Sequence, residues 1–205
     1  MSVVHLIDTL TTWAQQNVCD KITLKVPPAN EGEAVDGGYP YKTANPTAFP
    51  MYVPTSDKLP PNILSPFPSL CVQFVGGEDA LEDGTGFVDV RFTFAAWNPG
   101  THGKDMIVPT TPDGSSWEVS GADTHFQRNA DGWRDVWNFV DLARGAVENV
   151  TAIGGYAIDR TTPIKFGPMT EQEAIADLYP FWVAWLQFRM NYKIVRNIEN
   201  LKEFL

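Results

Sequence analysis

The sequence predicts an α+β chain, and two kinds of periodicity carry that prediction. Apolar residues recur at three- and four-residue steps near residues 3–18 and 133–147, the spacing of a helix that buries one stripe. They alternate near residues 87–96 and 181–190, the spacing of a strand. The 205 residues fit a single domain, 1–205. A chain of this size buries roughly 70% of its unfolded surface, so it needs no disulfide or metal to fold.

Val3, Leu6, Ile7, Leu10, Trp13, Ala14 and Val18 predict a first helix ending near Asn17 to Asp20. "KITLKV" then alternates through Ile22, Leu24 and Val26 and predicts a short strand. Residues 27–68 carry ten of the 16 prolines, at 27, 28, 40, 46, 50, 54, 60, 61, 66 and 68. Proline removes ladder donors, so no long helix or central strand is expected there. Tyr39, Tyr41, Phe49, Met51, Tyr52, Ile63 and Phe67 are nonetheless too apolar for a free linker. The segment reads as an extended arm lying against its own domain or a neighbour.

"LCVQFVGG" and "GFVDVRFTFAAW" predict two strands joined by the acidic, glycine-rich "GGEDALEDGTG", hence a long hairpin. Val88, Val90, Phe92, Phe94 and Ala96 fall on one face. Residues 98–130 read as a loop insertion, with "DMIVP" and "SSWEVS" as short strands of a side hairpin. Asp131 suits a helix N-cap. Trp133, Val136, Trp137, Val140, Ala143 and Val147 predict an amphipathic helix rich in aromatics. "YAIDR" and "PIKFGPM" predict short extended pieces. "TEQE" at Thr170 has capping-box spacing and predicts a brief helix through about Leu178. "YPFWVAWLQFRM" predicts a closing strand with Trp182, Ala184, Leu186, Phe188 and Met190 on one face, and residues 197–205 a short helix or tail.

The net charge is -10, from 25 acids against 15 bases. Binding free nucleic acid needs Lys and Arg to replace counterions, so it is an unlikely partner. The charge suits a soluble particle, or a channel wall that DNA passes without sticking. Two cysteines, Cys19 and Cys71, read as reduced cytosolic thiols, with a bridge between them as the minor alternative. "MSVVHLIDTL" does not read as a signal peptide, and no 18-residue apolar run is present to span a membrane.

Signatures of chemistry are missing. His5, His102 and His125 are scattered, and no HExxH, CxxC, EF-hand loop, GxSxG or GxxxxGK[ST] appears. The expectation is therefore no catalytic residue, no cofactor and no metal. Cys71 sits in an alternating strand and reads as a small apolar group rather than a nucleophile. The acids Glu78, Asp79, Glu82 and Asp83 match no calcium loop, and a solvated hairpin tip is the simpler reading. Trp13, Trp133, Trp137 and Trp182 share stripes with core residues, which favours an interior role over a carbohydrate platform. Trp97 and Trp117 are left open.

The order helix, short strand and arm, long hairpin, aromatic helix, short strand, closing strand, carried by "GFVDVRFTF", "DGWRDVWNFVDLARGAVE", "PIKFGPM" and "YPFWVAWLQFRM", resembles the tail terminator (tail completion) proteins of long-tailed bacteriophages and prophages. The resemblance covers residues 1–24 and 69–193 and omits the arm and the 98–130 insertion. It implies a small, mostly antiparallel sheet of about four core strands with helices packed on one face, plus long loop insertions. It implies no enzyme and no cofactor. The expected assembly is a six-fold, head-to-tail ring in the virion tail, formed in the host cytoplasm. The ring caps the tail tube, stops its growth and meets the neck proteins, and DNA passes through it without specific binding. The acidic residues Glu78, Asp79, Glu82 and Asp83 then meet Arg189, Lys193 and Arg196 of another subunit or line the lumen; Arg91 joins this candidate set. The arm reaches one neighbour. Three alternatives stay open: another head–tail joining or baseplate component, a cytosolic small-ligand-binding module using Trp97 or Trp117, and an enzyme using loop carboxylates.

Overall fold

The computed structural model describes residues 2–28, 42–63, 65–102, 107–109, 117–119, 126–128, 132–171, 174–175 and 178–194. Helix α1 spans Val3–Asn17. The Ser2 hydroxyl accepts from the His5 N–H at its start, and Leu6, Ile7, Leu10 and Ala14 are buried along one stripe. A single 3₁₀ turn, Cys19–Lys21, follows, so the strand predicted over "KITLKV" is shorter than expected: β1 is Leu24–Val26.

β1 pairs antiparallel with β2 (Lys42–Ala44), inside the proline-rich segment. β3 (Thr47–Pro50) follows. It runs parallel to Ser69–Val72 of β4 (Ser69–Ala80). Part of the expected arm is thus an edge strand of the chain's own sheet. Prolines at 46 and 50 fit there because an edge strand spares half its ladder donors.

β5 (Thr85–Trp97) forms the predicted hairpin with β4, in register from Ser69↔Ala95 to Ala80↔Thr85 with one irregularity at Phe74/Gly76. The insertion holds two small antiparallel ladders. β6 (Gly100–His102) pairs with β9 (Phe126–Arg128), and β7 (Ile107–Pro109) with β8 (Trp117–Val119) as the side hairpin predicted.

Helix α2 spans Trp133–Glu148. Asp131, the predicted cap, lies outside the described residues. Gly132 takes the N-cap position without a side-chain hydrogen bond. The buried stripe is Val136, Phe139, Val140, Ala143 and Val147. It is rotated from the predicted one because Phe139 packs edge-on against Phe94 at 4.9 Å. Trp133 is the correction this forces: it lies on the helix flank, exposed, with the Arg134 guanidinium 4.7 Å from its ring. Trp13, Trp137 and Trp182 do pack on the core.

β10 (Ala152–Ile153) and β11 (Tyr156–Ile158) form a tight hairpin, and β12 (Lys165–Pro168) follows. The helix predicted from Thr170 is not observed. β13 (Thr170–Glu171) and β14 (Ala174–Ile175) pair antiparallel instead. A segment of this length cannot repay helix nucleation on its own. β15 (Phe181–Lys193) closes the sheet, pairing with all of β5 from Phe181↔Trp97 to Lys193↔Thr85. β11 and β12 share its other edge.

The main sheet has seven strands in the order β10-β11-β15-β5-β4-β3, with β12 also on β15. This replaces the expected four core strands; the extra ones are short pieces recruited to the edges of the β4–β5–β15 meander. Among the described residues only the β3–β4 pairing is parallel. Both helices lie on one face, α1 over β3 and β4, α2 over β5 and β15. Leu70, Val72, Val88, Val90, Phe92, Phe94, Leu186, Phe188 and Met190 face them and are buried. Phe92 sits at the centre, 5.2 Å from Phe188 and 6.5 Å from both Trp13 and Phe94.

Candidate assembly surface

Strands of 12 and 13 residues are about 40 Å long, more than two helices lying side by side cover. The sheet's second face and its far end are therefore available. Alternation decides what they carry.

On the second face the near end is closed. Phe49, Cys71, Ala95 and Trp97 are buried there, and Phe67 of the proline-rich segment packs on Phe181 at 4.9 Å. Burial pushes the Cys71 thiol up to about 11 and, on the other face, the Cys19 thiol up to about 12. Past this point the face opens to half-exposed residues: Gln73, Arg91, Thr93, Trp185, Gln187, Asp89, Arg189 and Phe87. Arg91 donates to Gln187 Oε1 at 2.9 Å and stacks 5.0 Å over Trp185, whose indole donates to Pro168 O at 3.0 Å. Arg189 lies opposite Asp89 and binds it bidentately, at 2.9 Å to each oxygen, with its guanidinium 3.7 Å from the Phe87 ring.

The far end is the hairpin tip. Glu78, Asp79, Glu82 and Asp83 are all exposed. Gly84 takes a left-handed conformation, φ 64°, to close the turn. Asp79 accepts from the Tyr192 hydroxyl. Burial first, and then that bond, push the Tyr192 phenol up to about 12. An open groove of about 1020 Å³ lies beside the tip, lined in part by Glu78, Asp79, Gly86, Tyr156, Tyr192 and Lys193. At Gly86 a Cβ would lie 2.6 Å from both the Tyr192 ring and Asp79 Oδ1, so a side chain there would displace one of the two.

The predicted site residues therefore divide. Glu78, Asp79, Glu82, Asp83 and Lys193 come together at the sheet's far end. Arg91 lies mid-face, Arg189 is engaged by Asp89 of its own chain, and Arg196 lies outside the described residues. Sequence reasoning missed the Asp89–Arg189 pair, because two charges on separate strands meet only once the register is known. It also missed Tyr156 and Tyr192, which carried no signal beyond their alternation.

A buried polar node anchors the sheet's near end. Asn98 accepts from Lys25 Nζ at 2.9 Å and donates to Asp135 Oδ2 at 2.7 Å, while its carbonyl accepts from the Trp182 indole at 3.1 Å. Among the described residues no group of three or more His, Cys, Asp or Glu is placed to hold a metal ion. No helix among them is long and apolar enough to cross a membrane. Comparison with protein-family models and with curated proteins found no match.

Proposed function

We propose that this chain is a structural protein of a phage or prophage tail. In this reading it caps the tail tube as a ring, ends tube polymerisation and forms the joint to the head and neck. The observation that carries the reading is the asymmetry of the sheet. One face is sealed by two helices. The other holds a half-exposed Trp185, Arg91 and Phe87, beside a long hairpin that ends in four acids. Such a surface suits repeated contact with copies of itself and with a tube. The order of elements read from the sequence also resembles that of tail terminator proteins, and the function is carried here by analogy of order alone. Partners in this reading are further copies of the chain in a six-fold ring, the tube protein and a neck protein, with DNA passing an acidic wall without specific binding. The place of action is the virion tail, after assembly in the host cytoplasm. Of the two tryptophans that a small-ligand-binding module would use, Trp97 is buried, and the Trp117 side chain lies outside the described residues.

The test is particle mass in solution with negative-stain imaging at several concentrations, with and without purified tail tubes. Rings that bind tube ends are expected. A solitary subunit under every condition refutes the proposal.

A further inference from the structure

We infer that the outer edge of β4, from Gly76 to Ala80, is a docking edge for an extended, lysine- or arginine-bearing segment of another protein. β3 covers β4 only from Ser69 to Val72. The chain then leaves the edge at Met51, which takes a left-handed φ of 64° without being glycine. The bond from Met51 N–H to Val72 O, 2.8 Å, is the last backbone link between the two segments. Gly76 to Ala80 keep their ladder with β5, and among the described residues no strand pairs with their other side. A Cβ added at Gly76 would meet nothing within 4 Å. Proteins usually blunt such an edge with charged side chains, proline, a bulge or a covering segment, and acidic charges repel acidic strands while attracting basic ones. This one has Gly76 and Gly77, then Glu78 and Asp79, and a tip with Glu82 and Asp83.

Charge selects the occupant. Of the nearby bases, Arg189 is engaged by Asp89, which leaves Lys193 alone against Glu78, Asp79, Glu82 and Asp83, so the edge stays acidic. Pairing two copies through this edge would bring eight acids together, four from each. Another copy's β12 edge is a poor fit, because Pro168 has no N–H to give and Lys165 is its one base. A basic strand from a different protein satisfies both the backbone groups and the charge. Tyr192, half-exposed and reaching across Gly86 to Asp79 of β4, offers its ring to the long side chains of such a segment. This inference does not depend on ring formation.

The probe is a labelled peptide of about eight alternating valines and lysines. Its controls are the valine–glutamate version and an analogue N-methylated at alternate residues, which keeps the charge and loses the backbone donors. The lysine peptide is expected to bind the full chain, more weakly at higher salt. Binding should weaken about tenfold in the E78Q/D79N/E82Q/D83N variant, whose exposed changes leave the circular dichroism spectrum intact. Outward-facing amides between Gly76 and Ala80 should gain hydrogen-exchange protection in the complex. Equal binding by the N-methylated analogue, or no binding by the lysine peptide, overturns the inference. So does protection of those amides in the free chain, or protection that appears only as the chain's own concentration rises.

Discussion

Replacing Asn98 by alanine removes the side-chain links that tie β1 and α2 to the end of β5, and keeps the backbone carbonyl that accepts from Trp182 of β15. The side chain makes two hydrogen bonds to charged partners, Lys25 and Asp135, at 2.9 and 2.7 Å. Such bonds are worth roughly 1.5–3 kcal/mol each when a partner is removed. Lys25 and Asp135 are only half-buried, so water recovers part of the loss. A cost of about 2–3 kcal/mol is expected. For a chain of this length that lowers Tm by roughly 4–12 °C. Asn98→Asp sharpens the test. It sets a second carboxylate against Asp135, and the repulsion, only partly offset by Lys25 on the same side chain, raises the pH at which the folded variant takes up a proton there. That penalty is present at neutral pH and disappears as pH falls through the raised folded value, where the proton restores the donor. Asn98→Asp is therefore expected to match or exceed the alanine loss at pH 7 and to recover toward wild type near pH 4. Thermal and urea unfolding at one fixed protein concentration measure both. An alanine variant within about 2 °C of wild type would refute the reasoning.

Phe92→Ala, at the centre of the ring cluster, is expected to cost about 3–5 kcal/mol in urea unfolding, with the m-value unchanged. For Asp89 and Arg189, whose side chains keep about a quarter of their exposure, a double-mutant cycle with D89N and R189M is expected to give a favourable coupling that shrinks as salt is added. If Arg189 serves a neighbouring subunit instead, R189M alone changes the particle mass. Tyr192 should ionise near 12 by ultraviolet absorbance, and lower in D79N. Because its folded pKa is raised, its contribution to stability is complete below the ordinary phenol value of about 10 and is lost as pH rises through 12. Both thiols are buried and raised, so a thiol reagent at mildly alkaline pH should label neither until the chain unfolds.

Local patterns made the centre of the fold legible. The alternation of Val88 to Ala96 and of Trp182 to Met190 placed both strands and their buried faces correctly, and the stripe from Leu6 to Ala14 placed α1. These segments are long enough for one period to dominate. The errors lie where long-range pairing outweighs local preference. Thr47 to Pro50 becomes a parallel strand only because Leu70 and Cys71 wait beside it, and proline content argues against any strand there. The capping-box spacing at Thr170 is a true local signal, overridden after β12 docks on β15. Of the candidate surface, the acidic tip was readable as composition. Its groove, the open edge beside it and the Asp89–Arg189 pair were not, since each is a product of register.

The last strand among the described residues lies in the middle of the sheet. Residues 181–193 separate β5 from β11 and β12. Until the ribosome has released them, β5 is paired with β4 alone, its other side has no partner along thirteen residues, and the aromatic layer beneath α2 stays wet. The sheet and its core are therefore expected to close only once the β15 segment is available. Products truncated before Phe181 are expected to reach the proteases rather than the assembly line.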